Sequence, residues 1–280
     1  MPSKIIDREE IKLNESQLRM VKSGWGEDVI NNSVVEKITY LSDDLKVKGF
    51  FAYPKNSNGK KFPCIIWNRG GYENKGAIDL FNGRGIYGQI ASWGYIVFAS
   101  QYRGNDGGEG KEQLGGNDVN DILNLIPLAD EISFAEKNNW GIEGWSRGGM
   151  MALLALKKNH SFKCAVLSGA ISSLKQNTID NSNLRKLYKE IIGGNNFDDE
   201  IEKRTVINFV NKLPKIPYLI MHGENDKTIS PLQSIEFAKK LSKFGYNYRL
   251  IIFEGGDHFL KNHRKEVDRQ RRNWFDKYLK

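Results

Sequence analysis

Residues 144–149 read "GWSRGG", a serine held between glycines. A serine hydroxyl is a poor nucleophile near neutral pH. It can break an acyl bond once a base takes its proton and an acid orients that base. Ser146 follows the apolar run "NWGIEGW" and precedes "MMALLALKK", a helix-like segment. That is the strand–turn–helix setting in which G-x-S-x-G lifts a serine to the end of a sheet. The turn is too sharp for side chains at Gly144 and Gly148. It also sets the hydroxyl above a helix N-terminus, where the backbone dipole favours developing negative charge.

Four histidines are available as base. His160 ends the helix after Ser146, where an exposed role is expected, and His263 lies in a basic segment facing solvent. His222 closes the run "IPYLIMHG" and is expected to be structural. His258, in "FEGGDHFL", sits on a loop at the carboxyl end of a strand with a helix soon after, and is the candidate base. The acid should come from another strand end, and "IPYLIMHGENDKTISPLQS" offers Glu224 and Asp226. Asp226 precedes "KTISP", whose proline opens the next helix. Spacing leaves Glu224 as its competitor. Asp257 adjoins His258 and points the wrong way for a ring-to-carboxylate bond. The order serine, aspartate, histidine is that of α/β-hydrolases. A tetrahedral intermediate also needs oxyanion donors. The Arg147 amide is one candidate, and the glycine loop "RGGYENKG" offers Gly70 or Gly71 as the other.

Ligands of open parallel sheets collect beyond the carboxyl ends of the strands, so the surrounding elements must supply such a sheet. Two alternating stretches, "SVVEKITYLS" and "KVKGFFAYP", flank "DDL" and read as an antiparallel hairpin. Six continuous apolar runs follow: "FPCIIWN", "GYIVFASQ", "NWGIEGW", "FKCAVLSG", "IPYLIMHG" and "YRLIIFEG". Continuous runs mark strands covered on both faces. Helices are expected near 77–92, 117–131, 147–158, 180–212, 231–244 and 265–279. The expected fold is α/β: an eight-stranded, mostly parallel sheet with helices on both faces and an N-terminal antiparallel hairpin. Residues 1–32 form a helical lead-in and 33–280 one domain, with room for cap or pocket-wall helices within 175–212. Tryptophans 25, 93 and 145 either line a pocket or pack.

The 280 residues are 39% hydrophobic and 27% charged, with net charge +8. The basic C-terminal run is interleaved with Glu266, Asp268 and Asp276, which reads as a solvated helix face rather than a nucleic-acid site. No apolar run approaches the ~20 residues of a membrane span. The start is charged where a secretory signal would be apolar, so the cytoplasm is expected. Cys64 and Cys164 each fall within an apolar run and read as buried free thiols.

Taken together, "GWSRGG", "LIMHGENDKTISPLQS", "FEGGDHFL" and "SQYRGNDGGEGKEQLGGNDVNDILNLI" resemble the catalytic domain of the prolyl oligopeptidase family of serine peptidases, from about residue 34 onward. The resemblance implies an α/β-hydrolase fold and a triad of Ser146, Asp226 and His258, with the acid four residues after His222. It also implies short peptides or other small molecules as substrates, and no metal or cofactor. Two departures stand out. The first residue of "RGG" is Arg69 where the family usually has histidine or tyrosine, which favours the Gly70 amide as donor. Arg69 could meet a substrate carboxylate or pair with a neighbouring acid. The β-propeller that precedes the domain in many members is expected to be missing, so hydrolysis is expected first and peptidase specificity second. Carboxylesterase and non-catalytic binder are the other readings.

Overall fold

The structure, a computed structural model, describes residues 4–280; the first three residues of the expected lead-in lie outside them. By backbone contact the chain divides into two units. One runs up to Glu112 and includes Asn120–Gly141, and the other comprises Gln113–Val119 and Ile142–Lys280.

The first unit opens on β1 (Ile5–Glu10), α1 (Glu15–Trp25) and α2 (Asp28–Asn31). Asn14 and Gln17 form a capping box at the start of α1, each side chain bonding the other's backbone amide. The lead-in is therefore not wholly helical, since β1 pairs antiparallel with the next strand. The hairpin forms as expected, from β2 (Ser33–Ser42) and β3 (Leu45–Pro54). Asp43 and Asp44 carry φ of 48° and 65°, as a two-residue turn of the hairpin-favouring hand requires. Next come β4 (Phe62–Asn68), α3 (Leu80–Ser92), β5 (Ile96–Ser100), α4 (Asn120–Leu123) and the first part of β6 (Ala135–Trp145). Phe98 anchors the core here, 5.0 Å from the Phe51 ring and 5.7 Å from Trp140. The helix expected over 117–131 is broken into 3₁₀ turns at Asn117–Val119 and Ile126–Glu131 around the four-residue α4. Pro127 accounts for the second break: it lacks an N–H and disfavours α geometry at the residue before it.

The second unit holds the end of β6, then α5 (Arg147–Lys158), β7 (Cys164–Ser168), α6 (Leu174–Asp180), α7 (Ser182–Ile192) and α8 (Phe197–Arg204). It continues with β8 (Tyr218–Gly223), α9 (Leu232–Lys243), β9 (Tyr248–Phe253) and α10 (Arg264–Leu279). The longer helical region expected over 180–212 resolves into α7, α8 and a 3₁₀ turn at Val206–Lys212. Asn181 caps α7 by accepting from the Asn183 and Leu184 amides, and Gly193 at φ 103° ends it.

The strands follow the order β1-β2-β3-β5-β4-β6-β7-β8-β9. The ladder is antiparallel from β1 through β3 to β5, and parallel in β4–β5 and in β7–β8–β9. The expected α/β sheet is present with a ninth strand, β1, beyond the eight expected. Strands β5, β7 and β8 are buried along their whole length. β9 differs from the expectation: it ends the sheet, and Tyr248 and Ile252 are exposed. Among the described residues no helix is long and apolar enough to cross a membrane.

Candidate active site

Ser146 stands between the end of β6 and the start of α5 with φ 57° and ψ −125°. Such a conformation costs a non-glycine residue of the order of 1–3 kcal/mol and persists only where the surroundings impose it. A Cβ on Gly144 would overlap the Gly148 carbonyl, so the turn closes only with glycine there. The Ser146 amide donates to the Ser168 carbonyl at 2.8 Å, and the Ser146 carbonyl accepts from Ile171 at 3.3 Å. Its side chain does not cap α5, which keeps the hydroxyl out of helix hydrogen bonding.

Between those two anchors lies Gly169, with φ 52°. A Cβ there would stand 3.4 Å from His258 Nδ1 and Cε1 and 3.5 Å from Asp226 Oδ2. The segment that holds the Ser146 backbone therefore also packs against the acid and the imidazole. His258 Nδ1 donates to Asp226 Oδ2 at 2.7 Å. The Trp145 indole donates to the His258 carbonyl at 3.2 Å, so the residue beside Ser146 fixes the histidine loop. Two backbone bonds hold that loop to the end of β8, from Glu224 to Phe253 O and from Asn225 to Gly256 O, both 2.9 Å.

Asp226 is buried, and its Oδ1 accepts from the Thr228 and Ile229 amides at 2.8 and 2.9 Å. Burial pushes its carboxyl up. Hydrogen bonds from His222, His258 and the Ile229 amide outweigh that and hold it well below the usual carboxylate range. Glu224 instead accepts from the Gly255 amide, and Asp257 from the Lys261 amide, and neither engages His258 in a hydrogen bond. His160 is exposed, and His263 donates to the Glu254 carbonyl at 3.0 Å.

His222, expected to be structural, is fully buried and also touches the acid: its Nε2 lies 3.1 Å from Asp226 Oδ2 and 3.0 Å from the Ile229 carbonyl. Only its position four residues before Asp226 hinted at this contact. Of the three tryptophans, Trp145 reaches the histidine loop, whereas Trp25 packs edge-on against Phe81 at 5.7 Å.

Arg147 opens α5, and its guanidinium is buried against Asp118 at 3.2 Å. The residue after the serine thus turns its side chain inward. Arg69, on the loop after β4, is fully buried and paired with Glu112 at 3.4 Å. Of the two roles open to it, the ion pair is the one that forms.

A mostly parallel sheet carrying a strained serine between strand and helix defines an α/β-hydrolase. Residues 87–280 match the prolyl oligopeptidase family (Peptidase_S9). The chain is 33% identical over 242 residues to the uncharacterized peptidase YtmA of Bacillus subtilis, covering 85% of this chain and 91% of that protein. It is 24% identical over 266 residues to the uncharacterized peptidase YuxL of the same organism, where it spans 88% of this chain and 39% of the relative. Among solved structures, an acylaminoacyl peptidase of Pyrococcus horikoshii superposes with TM-score 0.75 at 24% identity, over 89% of this chain and 42% of that one. An esterase of Pyrococcus furiosus superposes with TM-score 0.68 at 16% identity, over 88% and 91% of the two chains. The chain belongs to the prolyl oligopeptidase family and is a serine hydrolase.

Proposed function

We propose that the chain is a peptidase that cleaves short peptides by two-step acyl transfer from Ser146, with His258 as base and Asp226 as its orienting acid. The observation that carries this reading is the 2.7 Å bond from His258 Nδ1 to buried Asp226. With Nδ1–H committed to the carboxylate, Nε2 is the nitrogen left to accept the serine proton. The Ser146 oxygen bonds to the scissile carbonyl carbon as its proton passes to His258. The carbonyl oxygen becomes an oxyanion, held by the amide of Arg147 at the start of α5. Collapse breaks the C–N bond, and His258 gives its proton to the departing amine. Water, activated by the same imidazole, then releases the acyl group.

Asp226 does not need to change protonation in this cycle, and its depressed carboxyl value fits a group that stays charged while His258 becomes an imidazolium. The name of YtmA supports peptide substrates, as that protein is matched along 91% of its length. The same groups would serve esters equally well, so carboxylesterase is the second reading, separated by substrate and not by mechanism. Two free, buried thiols fit a reducing compartment, the cytoplasm.

The experiment is a panel of aminoacyl and proline-containing amides beside short-chain esters, with Ser146→Ala and a fluorophosphonate probe. Amide turnover and probe labelling that both vanish in Ser146→Ala support the peptidase. Ester turnover without amide cleavage selects the esterase. Labelling that persists in Ser146→Ala would overturn the assignment.

A further inference from the structure

Acylation ends when His258 hands its proton to the departing amine, so that amine must come within about 3 Å of the imidazole. A side chain beside the open edge of the ring therefore meets the leaving group. The closed edge is defined by two neighbours. Nδ1 is bonded to Asp226 at 2.7 Å. A Cβ on Gly169 would lie 3.4 Å from both Nδ1 and Cε1, which places that backbone along the same edge. The ring of Phe259 also meets the imidazole, edge to face, with centroids 5.3 Å apart and planes at 73°. All of these residues, with Ser146, lie in the second unit.

Phe259 is 62% exposed, whereas the side chains before and after it, His258 and Leu260, are 10% and 1% exposed. The turn explains this. The Asp257 carbonyl accepts from the Leu260 amide at 3.1 Å, and its carboxylate accepts from the Lys261 amide at 3.1 Å. Leu260 takes φ 50° and packs over Gly256, where a Cβ would meet its Cδ2 at 2.9 Å. With Leu260 drawn inward, Phe259 has to stand out at the head of the turn. The Trp145 indole anchors that turn through the His258 carbonyl, so the ring is exposed and yet held in place. Beside it, the Lys261 ammonium lies 5.4 Å from the ring centroid and 4.0 Å from the Asp257 carboxylate. The two opposite charges offset one another, which leaves the apolar ring as the selective surface.

We infer that Phe259 forms the leaving-group subsite: its ring takes the apolar side chain of the residue whose amine departs. The inference rests on the acyl-transfer mechanism proposed above and adds a substrate class to it, peptides cleaved on the amino side of an apolar residue. Aromatic residues should be preferred there, because paired rings gain beyond the area they bury.

The test runs acylation backwards. An amine that fits the leaving-group subsite captures the acyl-enzyme in competition with water. Its nitrogen bonds to the acyl carbon and its proton passes to His258. The C–O bond to Ser146 then breaks as that proton reaches the serine oxygen. The acyl-enzyme is formed from a chromogenic ester with phenylalaninamide or glycinamide present at equal concentration, and the amide and free-acid products are separated and counted. The parent should form about tenfold more amide with phenylalaninamide than with glycinamide. Phe259→Ala should bring the two within about twofold, and Phe259→Leu should keep most of the difference. Each ratio is taken on one acyl-enzyme, so it does not depend on how much of a variant folds. A preference that survives in Phe259→Ala would overturn the inference, and so would equal capture or none in a parent that turns over the ester. Ester turnover absent from the parent, or persisting in Ser146→Ala, would instead overturn the mechanism on which it rests.

Discussion

His222 stands behind Asp226, its Nε2 3.1 Å from the carboxylate oxygen that also holds His258 at 2.7 Å. Because Nε2 faces two acceptors, Asp226 and the Ile229 carbonyl at 3.0 Å, the hydrogen-bond network assigns the ring proton there. Nδ1 then accepts from the Ser234 hydroxyl at 2.6 Å. The fully buried His222 imidazole thus serves as a second donor to Asp226.

Replacing that donor should be felt in the pH profile. In His222→Phe, burial is no longer outweighed as strongly, so the Asp226 carboxyl rises. kcat/KM at neutral pH should fall about tenfold, and on acidification the urea midpoint should begin to drop at higher pH than in the parent, because the carboxyl takes up its proton sooner. Kinetics at neutral pH beside urea unfolding across the acid range check this; a parental acid response would assign His222 a packing role only.

Asp226→Asn should lower kcat by about 10⁴, since an amide cannot hold the imidazole in the productive tautomer. The same variant reports on stability. A carboxyl depressed in the fold means the unfolded chain binds more protons as pH falls below the ordinary carboxylate value of about 3.9. Its stabilising contribution is therefore present above that value and is lost as pH falls further toward the folded value. The difference in urea midpoint between parent and variant should shrink with acidification; a constant difference would contradict the depressed value.

Gly144→Ala should destabilise the fold by about 1–3 kcal/mol or more, because the added methyl meets backbone at Gly148 and not a movable side chain. Fluorophosphonate labelling of the folded fraction should slow as well, since the turn that presents Ser146 must open. Thermal unfolding beside labelling rate measures both, and parental behaviour in each would show that the turn has room to spare.

Much of this site was legible because its residues lie in short motifs at strand ends, where local spacing carries the information. "GWSRGG", Asp226 before "KTISP" and His258 after a glycine turn each announce themselves within a few residues. Partnerships across long separations do not. Arg69 could be seen to need an acid, but Glu112 is one of many and lies 43 residues away. β1 was hidden because "IIDREE" exposes most of its residues and so shows no buried alternation. β9 misled in the opposite sense: its apolar run resembles an interior strand, and nothing local tells which strand comes last. Where 117–131 looked continuous, one proline and a run of small and polar residues divided it into turns.

The stretch from Ser168 to Ile171 bears no group assigned to the chemistry, yet it bonds the Ser146 backbone on both sides and lies against Asp226 and His258 through a missing side chain. It works as a jig. Ser146, His258 and Asp226 are all referred to one short piece of backbone rather than only to the loops that carry them. The helices that follow, from Leu174 to Arg204, lie after this stretch in the chain and outside it. An alanine at position 169 would find room beside His258 and Asp226 but would have to hold φ 52°, a backbone that L side chains rarely adopt.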